Sequence, residues 1–179
     1  MQSRLWAHPS GGPTRAVEDI VVSVERRSRT LVRFNYLVLG RLDELVVPPP
    51  APAARADKLW QTTCFEAFLR PRELTSYLEL NFSPSGEWAA YGFSAYRAGM
   101  ALASMPGPPT MSLTRGTDRL ELDVLVSIDV PREPCALALT AVIEERIGKS
   151  YWAAHHAGGG PDFHHPACFA DELPPAPAA

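Results

Sequence analysis

Cysteine is scarce in this 179-residue sequence, and its three copies, Cys64, Cys135 and Cys168, lie far apart. An odd number of cysteines without a CxxC pair does not fit a disulfide framework. A structural zinc site would also need more cysteines or a tighter spacing. We therefore expect reduced thiols, a cytoplasmic location and no structural metal.

Long apolar runs and an excess of positive charge are also missing. No window approaches the roughly 20 apolar residues of a membrane span, and the opening MQSRLWAHPSGGPT has no stretch that fits a secretory signal. Lysine and arginine total 17 against 20 acidic residues, which gives a net charge of −3. Nucleic-acid-binding surfaces are basic. We expect neither a membrane nor a nucleic-acid partner.

Helical spacing is almost absent, and strict apolar–polar alternation recurs in its place. Ile20, Val22 and Val24 share one face of a run whose other face carries Ser23 and Glu25. Leu122 and Val124 alternate with acidic residues. Alternation with period two is typical of half-buried strands, and many such runs separated by turn residues favour a sandwich. The pattern predicts an all-β, antiparallel β-sandwich of the jelly-roll kind, with about 9–11 strands and little helix.

The length fits one domain, which we place at residues 1–179. The segment PPPAPAARAD is dense in proline, so we expect a Pro-rich loop at 48–57 instead of a strand. It is either a plain connector or a loop shaped beside a binding site. The proline-rich end predicts a frayed tail at 172–179.

Several strands place acidic or amide side chains where both faces look buried. Glu66 lies between apolar neighbours, Glu79 and Asn81 share one face of the next strand, and Glu144 follows Val142 on a later one. Because a buried carboxylate is costly unless it is paired or lines a cavity, one interpretation is a polar concave face with tryptophan walls. The candidate walls are Trp60, Trp88 and Trp152.

Such a surface suits sugars, since aromatic rings stack on their C–H faces and polar groups orient their hydroxyls. The alternative is an ordinary solvated face on which these acids pair with arginines. The candidate partners are Arg33, Arg97 and Arg146.

Histidines cluster near the carboxyl end, where His155, His156, His164 and His165 lie within SYWAAHHAGGGPDFHHPACF. In a strand, adjacent residues point to opposite faces, so neither adjacent pair fits one metal ion, and the spacing is not HExxH. Three interpretations stay open: structural loop residues, ligand contacts in which His155 or His156 closes a pocket rim, and metal or haem ligands.

Signatures of enzymes are missing. The sequence contains no GxSxG elbow, no P-loop and no GxGxxG after a strand. A pair of acids such as Glu66 and Glu144 is the one candidate for catalysis, of the kind that glycosidases use. We therefore expect a protein that is not an enzyme, with a small carboxylate-based glycoside-processing enzyme as an alternative.

One motif in the centre of the chain has a family likeness. A tryptophan precedes a strand with Phe-Glu, and Tyr-x-Glu-x-Asn-x-Ser-Pro-x-Gly follows. The residues are Trp60, Phe65, Glu66, Tyr77, Glu79, Asn81, Ser83, Pro84 and Gly86. From about Arg29 to Phe169 the sequence resembles the DOMON-like proteins of bacteria, which are related to family 9 carbohydrate-binding modules.

This resemblance implies a sandwich that binds sugars or haem in a pocket on one sheet. Haem-binding relatives use an axial methionine and histidine, and here Met100, Met105 and Met111 lie in or beside a Gly/Pro-rich break. We expect a non-catalytic module that binds a carbohydrate or glycosylated metabolite without a cofactor, through Glu66, Glu79, Asn81 and Glu144. A haem or metal protein is the alternative. A homodimer or a separately encoded protein partner is compatible with exposed edge strands.

Overall fold

The computed structural model describes residues 1–12, 15–129 and 134–176. Twelve strands form in these ranges, in agreement with the alternating sequence pattern. They are β1 (Gln2–Ala7), β2 (Val17–Arg26), β3 (Leu31–Gly40), β4 (Cys64–Pro71), β5 (Tyr77–Phe82), β6 (Trp88–Phe93), β7 (Ala101–Leu102), β8 (Thr110–Arg115), β9 (Arg119–Ser127), β10 (Cys135–Glu145), β11 (Gly148–Ala153) and β12 (Asp171–Glu172). Helix in the described ranges is limited to three short 3₁₀ turns, at Leu42–Glu44, Leu59–Gln61 and Pro166–Cys168. None of these is long and apolar enough to cross a membrane.

The strands make two layers that share one strand. Sheet A has the order β8-β9-β3-β2-β1, and sheet B continues as β1-β11-β10-β4-β5-β6-β7, with β12 beside the first half of β10. The first part of β1 pairs with β2, and Trp6 and Ala7 pair with β11. All pairs between these strands are antiparallel. The predicted antiparallel all-β sandwich is confirmed, and β1 is a strand that the sequence pattern did not predict.

The core lies between the two sheets. Val22, Phe34 and Leu122 of sheet A are buried in one cluster with Phe65 and Leu139 of sheet B. Each is flanked along its strand by residues that point away from this core, as period-two alternation requires. Burial of these apolar side chains supplies the main driving force for folding.

Turn chemistry in two hairpins follows the sequence. β2 and β3 are joined across residues 27–30, and β5 and β6 across the segment SPSG. In the second turn Ser83 donates its N–H to the carbonyl of Glu87, and Gly86 has a φ of 98°. A side chain at Gly86 would be strained, which explains why glycine is suited to this position.

The Pro-rich loop packs more closely against the sandwich than its composition suggests. In the Pro-rich loop, Ala51 donates to Ser85, and Ala54 and Ala56 bond to both sides of the Trp88 backbone. The loop therefore lies along the start of β6.

The predicted tail also needs a correction at its start. Glu172 pairs with Ala136 and Leu173 is buried, so the chain is packed against sheet B through Leu173. Residues 177–179 lie outside the described ranges.

Candidate ligand-binding site

The side of sheet B that faces away from sheet A, here called the outer face, is covered instead of solvated. Phe68 and Tyr77 on this face are buried in a second apolar cluster with Leu59, Phe163 and Phe169. Leu59 comes from the short turn that follows the Pro-rich loop, and the two phenylalanines come from the segment after β11. Two loops thus enclose the outer face, which explains why β4 and β10 look buried on both sides in the sequence.

A cavity of about 370 Å³ opens between the outer face and these loops. Its base is formed by the strand residues Glu66, Glu79 and Val142. Its other lining residues come from four segments and are mostly aromatic: Trp60, Phe93, Arg97, Met100, Tyr151, Pro161, Phe163 and His164. This volume lies at the small end of the roughly 300–1,000 Å³ range of ligand pockets.

Strand register brings the two carboxyls of the base together. Glu66 on β4 is opposite Asn81 on β5 and Thr140 on β10, and Glu79 is one row away on β5. Glu66 is 3% exposed and accepts a hydrogen bond from the Thr140 hydroxyl at 3.1 Å through Oε2. Glu79 is 5% exposed and accepts one from the Asn81 amide at 2.7 Å through Oε1. Each carboxyl keeps its second oxygen for the cavity.

The environment makes both carboxyls weaker acids than an ordinary glutamate. Burial raises the pKa of Glu66 well above its ordinary value, the nearby charge of Glu79 raises it further, and the Thr140 hydrogen bond opposes both. Burial also raises the pKa of Glu79, while the Asn81 hydrogen bond and the charge of Arg97 lower it. The two groups titrate as a pair, which retains a proton above the ordinary glutamate pKa.

His164 closes the cavity beside Glu79 as a neutral ring. Burial and the charge of Arg97 lower the pKa of His164 to about 4, against the opposing effect of Asp162. Tyr77 accepts the Arg97 backbone N–H at 3.2 Å, and its hydroxyl lies 2.7 Å from His164 Nδ1. If that hydroxyl donates to Nδ1, the ring proton sits on Nε2, which lies 3.8 Å from Glu79 Oε2.

Backbone strain is concentrated in the loops that border the cavity. Among the described residues, Lys58 and Arg97 are the two non-glycine residues with a positive φ, at 59° and 51°. Lys58 precedes the turn that carries Trp60, and Arg97 itself lines the cavity. A left-handed non-glycine residue costs of order 1–3 kcal/mol and is found preferentially at binding sites. The strain therefore lies in the segments beside the cavity.

The structure brings together part of the predicted site. Trp60, Glu66 and Glu79 line the cavity, and Asn81 lies directly behind Glu79 and holds its carboxyl. Glu144 is on the same face of β10 but one step beyond Val142, outside the lining.

The other predicted residues lie elsewhere. Trp88 and Trp152 point into the core between the sheets, because Trp88 is opposite Phe82 and Trp152 is opposite Ala141. His155 is exposed with its Nε2 3.8 Å from Asp171, and His156 bonds to the carbonyl of Trp6 at 2.7 Å. Neither histidine lines the cavity.

Several lining residues were not predicted as ligand contacts. Phe93 and Tyr151 occupy outer-face positions that follow from the register of β6 and β11, although a single sequence does not reveal that register. Phe163 and His164 belong to the histidine-rich segment, where the sequence favoured structural roles. The sequence does show that this loop is rich in aromatic residues and histidines. That composition does not indicate which of their side chains point toward the cavity.

No group of three or more His, Cys, Asp or Glu side chains is placed to hold a metal ion in the described residues. The three cysteines are buried and free. A metal centre built from the clustered histidines has no ligand set in this part of the chain.

No protein-family model and no curated protein matches this chain. Among solved structures, a candidate carbohydrate-binding protein from Bacteroides uniformis aligns with a TM-score of 0.73 and 13% identity, over 94% of this chain and 83% of that one. A family 9 carbohydrate-binding module from Caldicellulosiruptor kristjanssonii, in complex with glucose, aligns with a TM-score of 0.47 and 9% identity, over 83% and 71%.

The chain shares its fold with the Bacteroides protein. At 13% identity that similarity shows the fold alone.

Proposed function

We propose that this protein is a non-catalytic module that binds a carbohydrate or a glycosylated metabolite in the outer-face cavity. The observation that carries the proposal is a small pocket in which two buried carboxyls form the base and four aromatic side chains form the walls. The walls are Trp60, Phe93, Tyr151 and Phe163. The Bacteroides protein of the same fold is a candidate carbohydrate-binding protein, which supports the same class of ligand.

A comparison within the chain indicates that Glu66 and Glu79 serve a ligand. Glu145 is a third buried glutamate, and both its oxygens accept backbone N–H groups from Arg15 and Ala16. Buried polar groups with a structural role are normally satisfied in this way. Glu66 and Glu79 have one protein hydrogen bond each within the described residues and face a cavity, as groups that orient a ligand do.

The test is ligand binding by the purified, untagged protein. A library of monosaccharides, disaccharides and nucleotide sugars is screened by thermal unfolding. A ligand at 100 times its Kd stabilises by about 2.7 kcal/mol, which raises the Tm by several degrees. The absence of any sugar-dependent shift at millimolar concentration would contradict the proposal.

Two substitutions locate the site once a sugar is found. Glu66→Ala and Trp60→Ala are expected to weaken binding at least tenfold, since each removes a buried polar contact or a stacking wall. Glu144→Ala and Trp6→Ala are matched controls, because Glu144 lies on the same face outside the cavity and Trp6 is 56% exposed elsewhere. Unchanged affinity in both site variants would place the ligand elsewhere.

The paired carboxyls favour a second candidate function, the carboxylate-based processing of glycosides. Burial raises the pKa of both Glu66 and Glu79, so the pair retains a proton that it can donate. A carboxyl with a raised pKa is typical of the general acid in glycoside hydrolysis. Hydrolysis of aryl glycosides that Glu66→Gln abolishes would favour this function over binding alone.

The haem alternative has less support from the donors present. Met100 and His164 both line the cavity, but Nδ1 of His164 lies against the Tyr77 hydroxyl and Nε2 faces Glu79. An axial ligand needs a free ring nitrogen, and neither nitrogen of His164 meets that requirement without rearrangement. We therefore propose a module without a cofactor. A cytoplasmic location and a protein partner stay predictions.

A further inference from the structure

The base of the cavity holds two acidic side chains that have no arginine or lysine in ion-pair contact within the described residues. Within the described residues, neither Glu66 nor Glu79 forms an ion pair with either residue type; the nearest basic group is His164, 3.8 Å from Glu79. Glu66 is 3% exposed, and its Oε1 has no protein donor in this part of the chain. A buried carboxylate without a counter-charge is costly, so this base favours a cationic ligand group.

Charged and titratable groups around the pair come from every neighbouring element. The buried thiol of Cys64 lies on β4, the phenols of Tyr77 and Tyr91 lie on β5 and β6, and the Tyr36 hydroxyl approaches β4 from the core. Asp57 bonds to Tyr91 from the Pro-rich loop. None of these groups supplies positive charge at neutral pH.

Among the residues that line the cavity, Arg97 is the one arginine or lysine. Arg97 bonds to Asp162 at 2.7 and 3.1 Å, so its charge is already matched at the rim. His164 is neutral above about pH 4. β10 contributes the Thr140 hydroxyl and the apolar Val142. No other arginine or lysine among the lining residues is therefore placed to pair with the two carboxyls, and a cationic ligand group would take that role.

The walls suit a cation as well as they suit a sugar ring. Tryptophan, tyrosine and phenylalanine faces attract an ammonium group through their electron-rich π systems. An ammonium also has three N–H donors, which match the unpaired oxygens of two carboxyls. A cavity of about 370 Å³ is suited to one sugar ring more than to an oligosaccharide.

We infer that the cavity selects a monosaccharide with a free, protonated amino group, which is seated between Glu66 and Glu79 while its ring packs against the aromatic walls. This inference rests on the proposed carbohydrate-binding function and names the class of sugar. A neutral hexose or an N-acetylated amino sugar has no positive charge to place at this base.

The pH dependence of binding should differ in sign between an amino sugar and a neutral sugar, because only the amino sugar brings a positive charge to the two carboxyls. The free pair retains a proton above the ordinary glutamate pKa, and an ammonium between the carboxyls favours ionisation of both. Binding then releases a proton, so affinity rises with pH, by up to tenfold per unit for one proton. A neutral sugar that uses the Glu66 proton as a hydrogen-bond donor would instead lose affinity as the pH rises.

The test is calorimetric titration of the full chain with glucosamine, N-acetylglucosamine and glucose at pH 5.5 and 7.0. Two buffers of different ionisation enthalpy are compared, so that proton release is measured directly. Glucosamine is expected to bind at least tenfold more tightly than the other two sugars, to bind more tightly at pH 7.0, and to release protons. Equal binding of glucose, or a fall in glucosamine affinity with pH, would overturn the inference and leave the carbohydrate-binding function in place.

Two variants and one non-sugar amine separate the remaining outcomes. Glu79→Gln is expected to reduce glucosamine affinity at least tenfold and glucose affinity much less, with Glu66→Gln as a second variant and Glu144→Gln as the control. Circular dichroism checks that each variant is folded. If ethanolamine binds and no sugar does, the cation site stands and the carbohydrate proposal is rejected. If neither sugars nor ethanolamine bind, both proposals are wrong.

Discussion

At the scale of single residues, the chain treats its buried glutamates in two ways. Glu145 accepts backbone N–H groups with both of its oxygens, whereas Glu66 has one hydroxyl donor at the base of a cavity. A side chain that is costly to bury and only partly satisfied lowers the stability of the fold. Such trade-offs between stability and function are common at binding sites.

This cost makes stability depend on pH in a direction that Glu66→Gln should remove. The pKa of Glu66 is higher in the folded chain than in the unfolded one, so its contribution is fully present below about pH 4.5 and is lost as the pH rises toward the folded value. The loss is up to about 1.4 kcal/mol per pH unit. Glutamine does not ionise, so the variant should unfold at higher urea than the wild type at pH 8 and at similar urea at pH 4.5.

Urea unfolding at pH 4.5, 6 and 8 measures the difference. Glu144→Gln serves as the control, because Glu144 is only half-buried and lies outside the cavity. Parallel pH profiles for the wild type and Glu66→Gln would show that Glu66 does not titrate in this way.

The predicted site residues show what alternation determines and what it leaves open. Alternation places Glu79 and Asn81 on one face of their strand, because side-chain direction is fixed within a strand, and in the structure Asn81 is opposite Glu66. It did not assign Trp152, whose direction depends on its pairing with Ala141 on another strand. A tryptophan is equally suited to a core and to a stacking wall, so composition alone does not separate these roles.

At the scale of elements, one aspartate joins the loop after β6 to the loop after β11 over the cavity. Asp162, in the segment after β11, accepts hydrogen bonds from Tyr96 and Arg97 of the segment after β6 and from the backbone of His164. The two loops therefore act as one cover, although they are far apart in sequence. Strands were predictable because their pattern is local, whereas this junction is a long-range contact between two polar loops.

Removing the charge of Asp162 should loosen the cover and leave the sandwich intact. Arg97 is 52% exposed, and an ion pair at such a site contributes about 0.2–1 kcal/mol. Asp162→Asn is therefore expected to lower global stability by less than about 1 kcal/mol, to increase amide hydrogen exchange in residues 94–100 and 158–165, and to weaken ligand binding.

Asp19→Asn is the matched control for that variant. Asp19 pairs with Arg4 at 2.7 Å on the opposite sheet, with similar exposure. It should change neither the exchange of the cavity loops nor ligand binding. Unchanged exchange in Asp162→Asn would contradict the role of this aspartate as the junction.

At the scale of the whole molecule, β1 makes two sheets into one folding unit. Its first residues pair with β2 of sheet A and its last with β11 of sheet B, so strands near both ends of the chain meet at this corner. Leu5 projects from it into the shared core and is 1% exposed. The sequence did not predict this strand, because QSRLWA is short and its pairing partners are distant.

The two sheets should consequently unfold together, and Leu5→Ala should destabilise both. Truncating a buried leucine costs about 2–5 kcal/mol. Tryptophan fluorescence reports on Trp88 and Trp152 in the core beside sheet B, together with Trp6 on β1 and Trp60 beside the cavity. Far-ultraviolet circular dichroism reports on all strands. Both transitions should move to lower urea by the same amount, while Arg4→Ala, an exposed neighbour, should cost less than about 1 kcal/mol. Separate transitions for the two probes would mean that the sheets unfold independently, because coincident transitions are what a single cooperative unit requires.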